Sequence, residues 1–208
     1  MLLDESQQRT EKRGASGVRL ASFSARWFDR GRPAAVEALW LLVQTLLVRS
    51  WVPGTAHRAF LLRLFGAVIG RGVTMKPGLR VKFPWRLRVG DDSWLGEDCW
   101  IDNLAPVVIG NNVCVSQGAY LCTGNHNWSD PAFALVVKPI TLQDGSWVGA
   151  RCLVGPGVTF EESAVAVAGS IVARSLGPYE IHGGNPARFL RRRNLQPLSA
   201  AQCGGQSR

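Results

Sequence analysis

The sequence predicts a mainly β fold, a prism of short parallel strands wound as a solenoid and preceded by a short helical region. Three observations carry this expectation. From Ile69 onward an apolar residue returns every six positions; the fifteen-residue apolar run AAVEALWLLVQTLLV, residues 34 to 48, comes before the repeat; and 23 Gly and 11 Pro among 208 residues suit many short elements separated by turns. A chain of this length buries one sizeable core, as one domain with an appendage.

The chain opens on MLLDESQQRTEKRG, which is polar, carries acids and has no apolar signal-peptide core, so secretion is not expected. The apolar run at 34 to 48 makes about four helical turns, short of the roughly 20 residues that span a bilayer. It reads either as a helix packed on the domain or as a peripheral membrane contact, because Arg26, Arg30, Arg32, Arg49 and Arg58 flank it.

The repeat has a frame that can be written out: Ile69, Met75, Val81; Val89, Leu95, Ile101; Ile109, Val115, Leu121; then Leu142, Val148, Val154, Phe160, Ala166 and Val172. Within each of the first three triplets the step is six, and between them it is eight, with Leu87-Arg88 and Val107-Val108 as the extra pairs. A period of six fits neither an α-helix nor a heptad, but it fits a short strand plus a turn. Three such units close one triangular coil, and five coils stack with the apolar residue inward about 4.8 Å above its equivalent. The helical region and the C-terminal residues are candidate caps for the two ends. The expected organisation is 1–66 polar N-terminus and helices, 67–176 prism with an inserted loop at 122–141, and 177–208 basic tail.

Between Leu121 and Leu142 the step is 21 rather than six, so fifteen residues leave the coil as a loop, and His126 lies near its start. A long loop on a rigid scaffold is where function concentrates. From the residues alone His126 reads either as a loop histidine that hydrogen-bonds its own turn or as a base, since the neutral imidazole accepts a proton near pH 7 and can return it, worth about 10²–10⁴ in rate as a general base.

Lys and Arg number 24 against 15 Asp and Glu, so an anionic partner is expected. A nucleic acid is not expected, because no basic stripe interleaves with aromatics and no recognition helix is apparent. Five cysteines, Cys99, Cys114, Cys122, Cys152 and Cys203, form no CxxC pair and read as reduced and cytoplasmic.

The segments VGDDSWLGEDCWID, IGNNVCVSQGAYLCTGNH and VGARCLVGPGVTF resemble those of the hexapeptide-repeat acyltransferases. Through VSQGAYLCTGNHNWSDPAF and GGNPARFLRRR the chain looks most similar to the O-acetyltransferases of colanic acid biosynthesis, over residues 36 to 193. The resemblance implies a left-handed parallel β-helix, a homotrimer, acetyl-CoA as co-substrate and a sugar hydroxyl as acceptor in exopolysaccharide biosynthesis; a cytoplasmic protein is expected, with the basic helical N-terminus as a candidate contact to the inner face of the membrane. It implies that His126 deprotonates the acceptor while that oxygen attacks the thioester.

The same resemblance assigns the donor groove to Gly149, Ala150, Ala168 and Gly169, and the nucleotide phosphates to Arg174 and Arg188, with Arg191, Arg192 and Arg193 either joining them or standing as solvated surface. It points to Asp102, Asn103 and Asn127 for acceptor contacts, with Asp102 reading otherwise as a corner cap; Trp147, in the coil after the loop, reads either as a surface on which a ligand stacks or as packing. The family commonly has Asp after the His; here Asn127 stands there, with Asp130 as a compensating carboxylate. Asn185 and Pro186 shape the turn that leaves the last coil. No metal is expected, because a prism-type carbonic anhydrase needs three histidines on coil faces and only His126 of His57, His126 and His182 lies in the repeat. The remaining alternatives are a non-catalytic scaffold and an acetyltransferase for a non-sugar hydroxyl.

Overall fold

The structure, a computed structural model, describes residues 17 to 196. The polar start of the chain and Cys203 lie outside the described residues. Two helices, α1 (Ala34–Val43, continued by a wider turn over Gln44–Val48) and α2 (Ala56–Leu64), precede the solenoid. Its first coil is β1 (Val68–Ile69), β2 (Thr74–Met75) and β3 (Arg80–Val81); its second is β4 (Leu87–Val89), β5 (Trp94–Leu95) and β6 (Trp100–Asp102). The third is β7 (Val107–Ile109), β8 (Cys114–Val115) and β9 (Tyr120–Cys122), and it issues into a hairpin of β10 (Gly124–His126) and β11 (Leu135–Val137). The fourth and fifth are β12 (Ile140–Leu142), β13 (Trp147–Val148), β14 (Leu153–Val154), β15 (Thr159–Phe160), β16 (Val165–Ala166) and β17 (Ile171–Val172), followed by β18 (Glu180–Gly184) and β19 (Ala187–Arg192).

Equivalent strands stack in parallel to make three faces: β1-β4-β7-β12-β15, then β2-β5-β8-β13-β16 continued by β18 and β19, and β3-β6-β9-β14-β17. The register on the first face repeats the sequence spacing: Val68 pairs with Arg88, Arg88 with Val108, Val108 with Thr141 and Thr141 with Thr159. All fifteen frame residues from Ile69 to Val172 are buried and form one core, which excludes water because every coil contributes three of them. The solenoid runs further than the expected five coils: Leu176 bridges to Phe160, and Ile181 and His182 pair with Val165 and Ala166. Residues assigned to a tail from 177 onward therefore form part of a sixth coil, and β19 folds back on β18 antiparallel.

Corners are made by residues with positive φ, three places before each inward residue: Gly72, Asp92, Asn112, Gly145 and Ser163 at one corner, Gly78, Asp98, Gly118, Arg151 and Gly169 at the next. Gly and the short Asn and Asp tolerate this left-handed conformation best. Next to them a side-chain ladder climbs the prism, with Asp91 accepting from the Arg71 N–H, Asn111 from Asp91 and Asp144 from Asn111, each at 2.8 Å. Cys99 and Cys152 fill the second corner from inside, and burial pushes the Cys99 thiol up to about 12. Cys99, Cys114, Cys122 and Cys152 are all free.

The first coil leaves three strand edges open, and the helical region closes each with side chains. Arg63 donates to the Ile69 carbonyl at 2.8 and 3.1 Å; Thr55 Oγ1 accepts from the Met75 N–H at 2.9 Å; Gln44 Oε1 accepts from the Val81 N–H at 2.5 Å while Trp40 Nε1 donates to the Val81 carbonyl at 2.7 Å. Arg58, grouped by sequence with a surface-facing basic flank, is instead wholly buried. It donates to the carbonyls of Val48, Ser50, Val52 and Gly54, because the chain between the helices has no strand partner to satisfy them.

Candidate functional site

The loop grows from the corner between the third and first faces, the same corner that carries two extra residues in each of the two preceding coils. Its root is fixed by Thr123, whose hydroxyl donates to the Asp102 carbonyl at 2.9 Å and accepts from the Ala105 N–H at 2.9 Å. The hairpin pairs His126 with Leu135, so the imidazole stands on an ordered strand rather than on a free loop. His126 Nδ1 lies 2.8 Å from the Phe133 carbonyl. A carbonyl only accepts, so Nδ1 carries the proton and Nε2 keeps its lone pair. The ring stacks on Phe133 at 4.2 Å and 7° and meets the edge of Phe23 at 5.5 Å. Phe23 belongs to an N-terminal strap held on this corner by the Arg19 N–H donating to the Pro131 carbonyl and by Trp85 Nε1 donating to the Arg30 carbonyl.

Asn127 and Asp130 shape the loop tip: Asn127 Oδ1 accepts from the Ser129 N–H at 3.1 Å and Asp130 Oδ1 from the Ala132 N–H at 2.9 Å. The Asp130 carboxylate is therefore engaged within its own turn. Asp102 pairs in register with Cys122 at the loop root. Its largely buried carboxylate takes Lys82 Nζ at 3.2 Å and the Tyr120 hydroxyl at 3.1 Å. Burial first, then Cys122, hold the Tyr120 phenol above its ordinary value, so it remains a donor. Trp100 stacks on Tyr120 at 4.4 Å with Arg80 over its other side at 4.5 Å. Asn103 differs from the acceptor role expected of it. It is fully buried, accepting from the Phe83 N–H at 2.9 Å and donating to the Phe83 carbonyl at 2.7 Å, because the enlarged corner has no strand hydrogen bonds of its own there.

Alongside the hairpin a cleft of about 460 Å³ is lined by Cys122, Asn125, Trp128, Lys138, Leu153 and Gly155 among others. Gly149, Ala150, Ala168 and Gly169 stack at the opposite edge of the third face, with the Gly169 N–H donating to the Ala150 carbonyl at 2.8 Å. A Cβ on Gly149 would lie 2.6 Å from the Ala166 carbonyl oxygen, so the next coil requires glycine there. At Gly169 the space outside is open and a positive φ of 74° is the reason. Within one chain His126 and this corner therefore stand on different edges of the prism.

Trp147 is half-exposed on the second face and donates to Ser116 Oγ at 2.8 Å. With the exposed Trp94 it flanks a cleft of about 730 Å³ reaching Asp92, Asn112 and Arg193. Arg174 and Arg188 are exposed, the latter on β19. Arg193 is not free surface, since it donates to the Gly145 and Ser163 carbonyls, and Arg192 donates to the Pro178 carbonyl. Asn185 and Pro186, joined by a cis peptide, make the turn between β18 and β19. His182 bonds Glu180 at 2.9 Å, and His57 is half-buried in α2. Among the described residues no group of three or more His, Cys, Asp or Glu side chains is placed to hold a metal ion.

Lys82, Tyr120, Phe133, Phe23 and Trp94 did not emerge from sequence. A signal existed for Lys82, which precedes Asp102 by the twenty residues of one coil. None existed for Phe133 or Phe23, which act through a carbonyl and a ring edge.

No family model matches the chain. A colanic acid biosynthesis acetyltransferase, WcaF, of Escherichia coli is 38% identical over 84% of this chain and 96% of its own length. Among solved structures, a hexapeptide-repeat acetyltransferase from Vibrio cholerae aligns with TM-score 0.69 and 27% identity over 78% of this chain and 94% of that one. Its complex with acetyl coenzyme A aligns with TM-score 0.69 and 25% identity, over 77% and 88%.

Proposed function

The chain belongs to the hexapeptide-repeat acetyltransferases, in the group of the colanic acid biosynthesis enzymes, and from that premise we propose how it moves acetyl from acetyl-CoA to a sugar hydroxyl in exopolysaccharide biosynthesis. The observation that carries the mechanism is the bond from His126 Nδ1 to the Phe133 carbonyl, which leaves Nε2 basic. Nε2 takes the acceptor's hydroxyl proton as that oxygen bonds to the thioester carbon. When the tetrahedral intermediate collapses, the C–S bond breaks and the proton passes from imidazolium to the departing thiolate. A main-chain N–H at the Gly149-Ala150 corner is suited to the developing oxyanion.

The acceptor is held by Asp102 and Asn127, with Lys82 and Tyr120 completing the polar surface around Asp102; Trp147, on the second face, stands apart from them within one chain. Arg174 and Arg188 take the phosphates of CoA, for which guanidinium offers paired donors. Because His126 and the donor corner occupy different edges of one prism, a homotrimer that sets one chain's hairpin against its neighbour's donor corner completes the site. The enzyme works in the cytoplasm with a peripheral contact to the inner membrane; no helix among the described residues is long and apolar enough to cross one.

Acetyl transfer measured with wild type and His126→Ala on a panel of sugar, serine and antibiotic acceptors tests this reading. The expected result is sugar-selective turnover that falls about 10²–10⁴-fold in the variant while acetyl-CoA binding persists. Undiminished turnover would remove His126 as the base, and absence of acetyl-CoA binding by wild type would favour a scaffold.

A further inference from the structure

We propose that the helical base of the prism is a docking surface for an anionic lipid bilayer. A helix laid on a soluble domain turns its apolar stripe inward and a polar stripe outward. In α1 and its continuation the inward stripe is Trp40, Gln44 and Val48, which close the first coil. The opposite stripe, Leu39, Leu42 and Leu46, is apolar as well and ends on the exposed Arg49. Trp51 in the connection and Phe60 and Leu64 on α2 are exposed as well; all six apolar side chains are at least 53% exposed. This is a concentration of exposed large side chains, unlike the scattered ones of an ordinary surface.

The charge pattern selects the occupant. From residue 38 to residue 90 the chain contains no Asp or Glu and nine Lys or Arg; Arg58 is fully buried, and Arg71 and Lys82, on the first coil, pair with Asp91 and Asp102 of the next, which leaves Arg49 exposed at the end of the apolar stripe. Leucines and an exposed tryptophan enter the boundary between headgroups and acyl chains, while neighbouring arginines stay at the level of anionic phosphates. A second copy of the chain fits the same face poorly, because a self-complementary pairing would set these cations against one another with no acidic partner in the segment. The inference rests on the peripheral membrane contact proposed above, to which it gives a surface and a lipid chemistry, and its failure would leave acetyl transfer and the identity of the base untouched.

Flotation of the full chain with phosphatidylcholine vesicles, with and without phosphatidylglycerol, tests it. Binding to the phosphatidylglycerol vesicles that high salt reverses is expected. Leu42→Glu/Leu46→Glu, at exposed positions, should lower partitioning at least about tenfold, and Arg49→Glu should weaken it by a smaller factor. The thermal midpoint and the mass by light scattering in lipid-free buffer should not change. Equal partitioning of the double variant and wild type, or no binding to anionic vesicles, overturns the proposal. So does a fall in mass of the double variant without lipid, which would give the face to a second copy of the chain.

Discussion

Replacing Gln44 with Met keeps the length of the side chain but removes the oxygen that accepts the Val81 N–H at 2.5 Å. Val81 lies on β3, the edge strand of the third face, so no lower coil can take over that donor. The site is buried and excludes water. Leaving one buried backbone donor without a partner costs about 1–3 kcal/mol. For a chain of this size that lowers the melting temperature by about 2–12 °C. The assay is thermal unfolding followed by circular dichroism, with Trp40→Phe as companion because Trp40 Nε1 bonds the carbonyl of the same residue at 2.7 Å. The double variant should lose less than the sum of the singles, since both act on one residue of one strand edge. A melting temperature unchanged within about 1 °C in Gln44→Met, below the shift expected for an unpaired donor, would refute the view that the helices act as an edge cap.

Two further outcomes follow from the site and the base. Phe23→Ala removes an edge contact to His126 worth about 0.5–1.5 kcal/mol, so kcat should fall by up to about tenfold with the KM for acetyl-CoA unchanged; recovery by Phe23→Tyr but not by Phe23→Ser would separate ring positioning from simple loss of bulk. Burial, and then Arg58, lower the pKa of His57 from its ordinary 6.5. As pH falls through about 6.5 the unfolded chain gains a proton that the folded chain resists, so stability present above that pH is lost below it. Melting temperatures measured from neutral to mildly acid pH should decline more in wild type than in His57→Gln, and parallel declines would dismiss His57 as the cause.

The coil frame was legible because burial demands it: an inward position every six residues must be apolar, and all fifteen are buried. The hairpin was legible as a break in that rhythm, with His126 inside it. The residues between the inward positions were harder to read. Asp92, Asn112 and Ser163 look like ordinary surface in sequence, yet each holds a left-handed corner, a constraint on φ that leaves only a weak preference for residue type. The sixth coil was missed because its return after Val172 is shortened, so that Leu176 rather than a residue six places on meets Phe160. Arg58 looked like surface because charge predicts exposure until unpaired carbonyls outnumber the donors available to them.

By itself, then, the sequence determined the periodic interior, the place where the chain leaves it and the residue type able to move a proton there, since these depend on local spacing and on side-chain chemistry. Only the tertiary structure decided that Nδ1 of His126 is held by the Phe133 carbonyl, that Asn103 is occupied with Phe83, and that the Gly149-Ala150 corner stands on another edge from the histidine. Those outcomes depend on backbone groups and on which coil lies above which, and a carbonyl oxygen is the same atom whatever residue carries it.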